Sequence, residues 1–124
     1  MHPLIRIMPL LLIAATATAA QAKVPASPAT PLASCVDLTA DHQAFGYGSQ
    51  LLFVQDADSH YKVSFSGDCE AIVLSPQVEI TTAGQLNRLC PQASRVATRG
   101  HACAVRSVEE IDANQYARYR RMSR

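Results

Sequence analysis

The chain has no close cysteine pair, no histidines at metal-ligand spacing and no G-x-S-x-G turn. A structural zinc site draws on C-x2–4-C or H-x3–5-H pairs, so the first two absences argue against one. The third argues against the nucleophile elbow of an α/β-hydrolase. No apolar run approaches the roughly 20 residues that a membrane-spanning helix needs. Charge of one sign is not in excess either: the net charge is +1. That balance gives no nucleic-acid-binding surface in the body of the chain, and no nucleic-acid partner is expected. No long period-3.6 stretch and no internal repeat appears inside the body.

The N-terminus carries a recognisable order of features. Met1 to Arg6 is short and basic, and Ile7 to Ala15 is apolar apart from Pro9. Ala17-Thr18-Ala19 and Ala20-Gln21-Ala22 then offer small-residue cleavage sites. That order reads as a secretory signal peptide over residues 1–22, cleaved after Ala22. The expected location is periplasmic or secreted, and the mature chain has about 102 residues. Residues 23–34 hold Pro25, Pro28 and Pro31 among small residues and read as an extended spacer. The spacer ends in Leu32-Ala33-Ser34-Cys35, which has the letters of a lipoprotein cleavage box. It lies far downstream of the apolar run, and lipidation of Cys35 would leave an odd number of cysteines. A lipoprotein is therefore not expected.

The four cysteines are Cys35, Cys69, Cys90 and Cys103. An even count in a short exported chain reads as a disulfide framework. A domain this small buries a modest core and gains from cross-links. Of three pairings, Cys35–Cys69 and Cys90–Cys103 are favoured because each is the more local closure. The second closes a loop of about 14 residues, for which chain entropy gives roughly 3 kcal/mol.

Residues 35–112 read as one β-rich domain. Leu51-Leu52-Phe53-Val54 is a continuous apolar run suited to a buried strand. Tyr61, Val63 and Phe65 alternate with Lys62, Ser64 and Ser66, as a half-buried strand does. Asp56-Ala57-Asp58-Ser59 between them forms a hairpin tip. Gly46 to Ser49, Gly67-Asp68, Ala83-Gly84-Gln85 and Arg99-Gly100 read as turns. Short apolar stretches at Ala71–Leu74, Val78–Ile80, Arg95–Thr98 and Ala102–Val108 supply further strands, with Leu86–Cys90 left as a loop or helical turn. The expected fold is all-β: a small disulfide-linked barrel or sandwich of about five to seven short antiparallel strands. Residues 113–124 form a basic tail. With acids first and arginines last, it can end the chain as a short helix or as a solvated tail.

Candidate chemistry is sparse. His42, His60 and His101 are far apart and are expected at surface turns or strand ends. Asp56-x-Asp58-x-His60 starts like a calcium loop but lacks the glycine and glutamate that complete one. Asp68 and Glu70 flank Cys69 as a weak acidic patch. No catalytic residue, metal or cofactor is assigned. The tail is the most suggestive remaining feature. Tyr116, Arg118, Tyr119, Arg120, Arg121 and Arg124 could touch an anionic partner.

Cys35-Val-Asp-Leu, Leu51-Leu-Phe-Val, His60-Tyr-Lys-Val-Ser-Phe with Gly67-Asp-Cys69, Leu89-Cys90 and Cys103-Ala-Val-Arg-Ser-Val together form a pattern. It is similar to that of a family of small exported bacterial proteins known only as a domain of unknown function. The resemblance covers about residues 35–112 and implies a β-rich, disulfide-bearing envelope protein, with no site residues to transfer. The expected function is a non-enzymatic binding or structural module, with an unknown protein or cell-envelope component as its partner. An inhibitor of a secreted hydrolase is the alternative; an exposed rigid loop near Asp56–Ser59 or Arg95–His101 would favour it. A small enzyme, with a histidine and a carboxylate in one pocket, is a third reading.

Overall fold

A computed structural model describes Pro3 and residues 29–74, 77–98 and 100–123. Residues 1–22, apart from Pro3, and residues 23–28 of the expected spacer lie outside the described residues. Among the described residues the body is antiparallel β structure with two helices. Strands β3 (Gln43–Tyr47), β4 (Leu51–Asp56) and β5 (Ser59–Phe65) form a meander. Strand β10 (His101–Ile111) runs beside β5. Strands β9 (Ser94–Thr98), β6 (Glu79–Thr82) and β7 (Gln85–Leu86) complete the order β3-β4-β5-β10-β9-β6-β7. A two-residue strand β1 (Thr30–Pro31) also pairs with β10. A separate ribbon joins β2 (Val36–Asp37) to β8 (Arg88–Leu89).

Strand β10 holds the sheet together because its two halves serve different neighbours. His101–Ala104 pairs with β9, and Val105–Ile111 pairs with β5. The register slips between Val105 and Ser107, leaving Arg106 as the extra residue of a bulge. A bulge bends its strand and increases the local twist. The sheet curls into a half-barrel. Its inner face carries the main core, including Leu52, Val54, Tyr61, Val63, Phe65, Ile80, Val96, Val105 and Val108. The expected all-β class is thus present, with ten short strands among the described residues instead of five to seven.

Some local readings change. Gly46 and Tyr47 belong to β3, so the turn is only Gly48–Gln50. Ala71–Leu74 is a short helix, α1, not a strand. It packs against β3, where an added Cβ on Gly46 would sit 3.1 Å from the Ile72 carbonyl oxygen. Leu86–Cys90, expected as a loop or helical turn, contributes to β7 and β8. The last strand continues past Val108 to Ile111. The end of the expected spacer is not a free linker. Thr30 and Pro31 lie opposite Glu110 and Glu109, and the Leu32 amide donates to the Val108 carbonyl. The exposed edge of β10's second half accepts this segment.

The cysteine pairing also differs. The bonds are Cys35–Cys90 and Cys69–Cys103, not Cys35–Cys69 and Cys90–Cys103. Strand register decides this, not closeness along the chain. Val36 faces Leu89, so one further step of the same ribbon brings Cys35 opposite Cys90. In the β9–β10 hairpin it is Val96 that faces Cys103. Cys90 lies beyond the start of β9, and the turn after β5 delivers Cys69 to Cys103 instead. With its sulfur bonded to Cys90, Cys35 has no free thiol.

Candidate functional site

The outer face of β3-β4-β5 is unusually aromatic. Alternation along each strand puts Phe45, Tyr47, Leu51, Phe53 and His60 on this side, opposite the main core. Phe53 is nonetheless 0 % exposed. Its cover is a helix, α2 (Ala113–Met122). Asp112 caps it: the Asp112 side chain accepts from the Gln115 amide at 2.7 Å. At the other end the Ser123 amide donates to the Tyr119 carbonyl, and Arg120 and Arg121 occupy the last turn. That placement suits the helix dipole.

The helix is fastened by rings. Tyr116 meets Phe45 edge-on with centroids 5.2 Å apart, and its ring lies 4.9 Å from that of His60. Tyr119 stacks on Phe53 at 4.4 Å and meets Tyr47 edge-on at 5.2 Å. The Arg120 guanidinium lies 4.9 Å from the Phe45 centroid, a cation–π distance. Burial raises the Tyr116 phenol above its ordinary value, against a smaller opposing pull from Arg120.

The tail therefore divides in two. Tyr116 and Tyr119, expected as partner contacts, are turned inward as packing residues. Helical spacing explains why: residues three apart share a face, and both tyrosines meet the aromatic sheet. Arg120 is held over Phe45. Arg118 and Arg121, again three apart, are exposed on the outward side. Arg124 lies outside the described residues.

Beside the helix, the same sheet face carries Lys62 and Ser64 and stays open. A shallow pocket of about 140 Å³ lies there, lined by Gln50, Leu51, Ser64, Phe65, Ser66, Gly67 and Arg106. Arg106 is exposed and has no charged or hydrogen-bonding partner among the described residues. Next to the pocket, Asp68 accepts from Ser49 Oγ at 3.0 Å and from Gln50 Nε2 at 3.1 Å. Those hydrogen bonds, Gln50's first, hold its carboxyl below the ordinary value. Asp68 is thus tied to the pocket wall.

Arg106 escaped the sequence reading, though a signal for it exists. The buried Val105 and Val108 are three apart, an odd spacing that breaks strand alternation. Such a break marks an extra residue between them.

The histidines do not converge. His42 contacts the Thr39 carbonyl oxygen through Nδ1 at 2.7 Å, and His101 is exposed at the start of β10. His60 is buried, not at a surface, because α2 covers its side of β5. Among the described residues, no group of three or more His, Cys, Asp or Glu could hold a metal ion. Asp56 bonds the Thr39 amide and hydroxyl, which pins the Thr39–His42 turn to the hairpin tip. Asp56 pairs with Ser59 across the expected hairpin tip, and Thr98 pairs with His101.

The fold and its bonds define a small, disulfide-linked antiparallel β protein with a C-terminal helical cover. Two disulfides fit an oxidising compartment. No helix among the described residues is long and apolar enough to cross a membrane. No protein-family model matches the chain, and neither curated proteins nor solved structures yield a match.

Proposed function

We propose that the protein is an exported, non-enzymatic binding module that engages an anionic component of the cell envelope through its helix-bearing face. Residues 1–22 serve as the export signal, and the folded body works in the periplasm or outside the cell. The observation that carries this reading is the orientation of α2. Its tyrosines are spent on Phe45 and Phe53, which leaves Arg118 and Arg121 exposed on the outward side of a docked helix. A docked helix presents charge at a lower entropic cost than a mobile tail does. Arg106 adds positive charge on the same side of the sheet, whereas Lys62 lies opposite Glu109 in the register. Electrostatic complementarity of this kind speeds and orients association. The shallow pocket supports a surface contact, because sites that engulf a small molecule usually exceed about 300 Å³.

Co-sedimentation with an isolated cell-envelope fraction tests the reading. The double variant Arg118→Glu, Arg121→Glu should keep the wild-type circular dichroism and lose most of its sedimentation. The wild-type signal should weaken as salt rises. Equal sedimentation of variant and wild type would refute it.

A further inference from the structure

Four observations meet at the pocket beside α2. Arg106 occupies the extra position of the β10 bulge, and bulges re-aim side chains. Its guanidinium is exposed with no partner among the described residues. The walls add the Ser64 and Ser66 hydroxyls and the Gln50 carboxamide. Leu51 gives the remaining lining an apolar part, while the Phe65 side chain turns to the core on the other face. At about 140 Å³ the space admits one functional group with a short apolar neighbour, not a whole ligand.

We propose that this pocket binds the carboxylate end of a chain-like ligand, with the Arg106 guanidinium as its main partner. A planar guanidinium matches a planar carboxylate through two parallel hydrogen bonds. Ser64 and Ser66 line the same pocket, and a serine hydroxyl can donate to a carboxylate oxygen. One free cation suits a monoanion. A phosphate dianion would meet the Asp68 carboxylate beside the Gln50 wall, and no second cation lines the pocket. Two sources supply this chemistry: a peptide C-terminus and an acidic sugar.

This inference rests on the binding-module reading and deepens it. Two-dimensional amide NMR of the full disulfide-bonded protein tests it with N-acetylalanine, glucuronate, N-acetylalanine amide and inorganic phosphate. Saturable shifts confined to residues 49–51, 64–67 and 106 are expected with one of the two carboxylates, and which one identifies the source. Arg106→Gln should weaken that binding by roughly tenfold or more, as loss of a charged hydrogen-bond partner does. Arg106→Lys should restore only part of it. The variants' spectra away from the pocket should match wild type, since Arg106 is exposed. The carboxylate assignment is overturned if neither carboxylate binds, if the amide or phosphate binds as well, or if Arg106→Gln titrates like wild type. The titration does not involve Arg118 or Arg121, so it can fail while envelope co-sedimentation holds, and the reverse.

Discussion

Tyr119 stacks on Phe53 with ring centroids 4.4 Å apart and planes 25° apart. That contact joins the end of the chain to the middle of the sheet. Stacked pairs add about 0.5–1.5 kcal/mol beyond the area they bury. Tyr119→Ala should therefore lower unfolding stability by about 2 kcal/mol, and Phe53→Ala by about 4 kcal/mol. Urea unfolding would measure both. A Tyr119→Ala midpoint equal to wild type would mean the helix contributes nothing to the fold.

Gly46 and Gly67 make a matched comparison. A Cβ at Gly46 meets the Ile72 carbonyl oxygen at 3.1 Å, while one at Gly67 meets nothing within 4 Å. Gly46→Ala should cost about 1–2 kcal/mol by pushing α1 off β3. Gly67→Ala should stay within about 0.5 kcal/mol of wild type. Thermal unfolding of the two variants separates crowding from a general effect of removing glycine.

The disulfide connectivity is directly checkable. Non-reducing peptide mapping should recover Cys35 linked to Cys90 and Cys69 linked to Cys103. The sequence separations are 55 and 34 residues, so each bond should stabilise by roughly 4 kcal/mol on chain entropy. Replacing either pair with serines should produce a loss of that order in urea unfolding.

Tyr116 makes part of the fold's stability depend on alkaline pH. Its phenol titrates higher in the folded protein because burial penalises the phenolate. The corresponding stability is fully present below pH about 10, where both states hold the proton. It is lost as pH rises from there through the folded value, since the unfolded chain ionises first. Tyr116→Phe keeps the ring and should reduce the fall in stability above pH about 10. An unchanged alkaline profile in that variant would place the effect elsewhere.

Much of this architecture is visible in the residues. Alternation of Tyr61, Val63 and Phe65 marks β5, and the turn residues mark most strand ends. The unbroken run Leu51-Leu52-Phe53-Val54 carries more information than a strand alone. A strand apolar on both sides needs a cover on both sides, and the tail tyrosines are that second cover. Tyr116 and Tyr119 become legible as packing residues only when set against that uncovered sheet face, and the burial of His60 depends on the same cover. The disulfide pairing was not legible, since register between distant strands fixes it and local loop length does not. Ala71–Leu74 was ambiguous because four apolar residues fit a strand or a helical turn equally.

The docked helix underlies the binding face, so its amides give the most direct test. Hydrogen exchange on the intact protein at neutral pH should show protected amides from Tyr116 to Ser123. Tyr119→Ala should reduce that protection across the whole segment while leaving β10 protected. Exchange of these amides at the rate of an unstructured peptide would contradict the docked helix, and with it the outward presentation of Arg118 and Arg121.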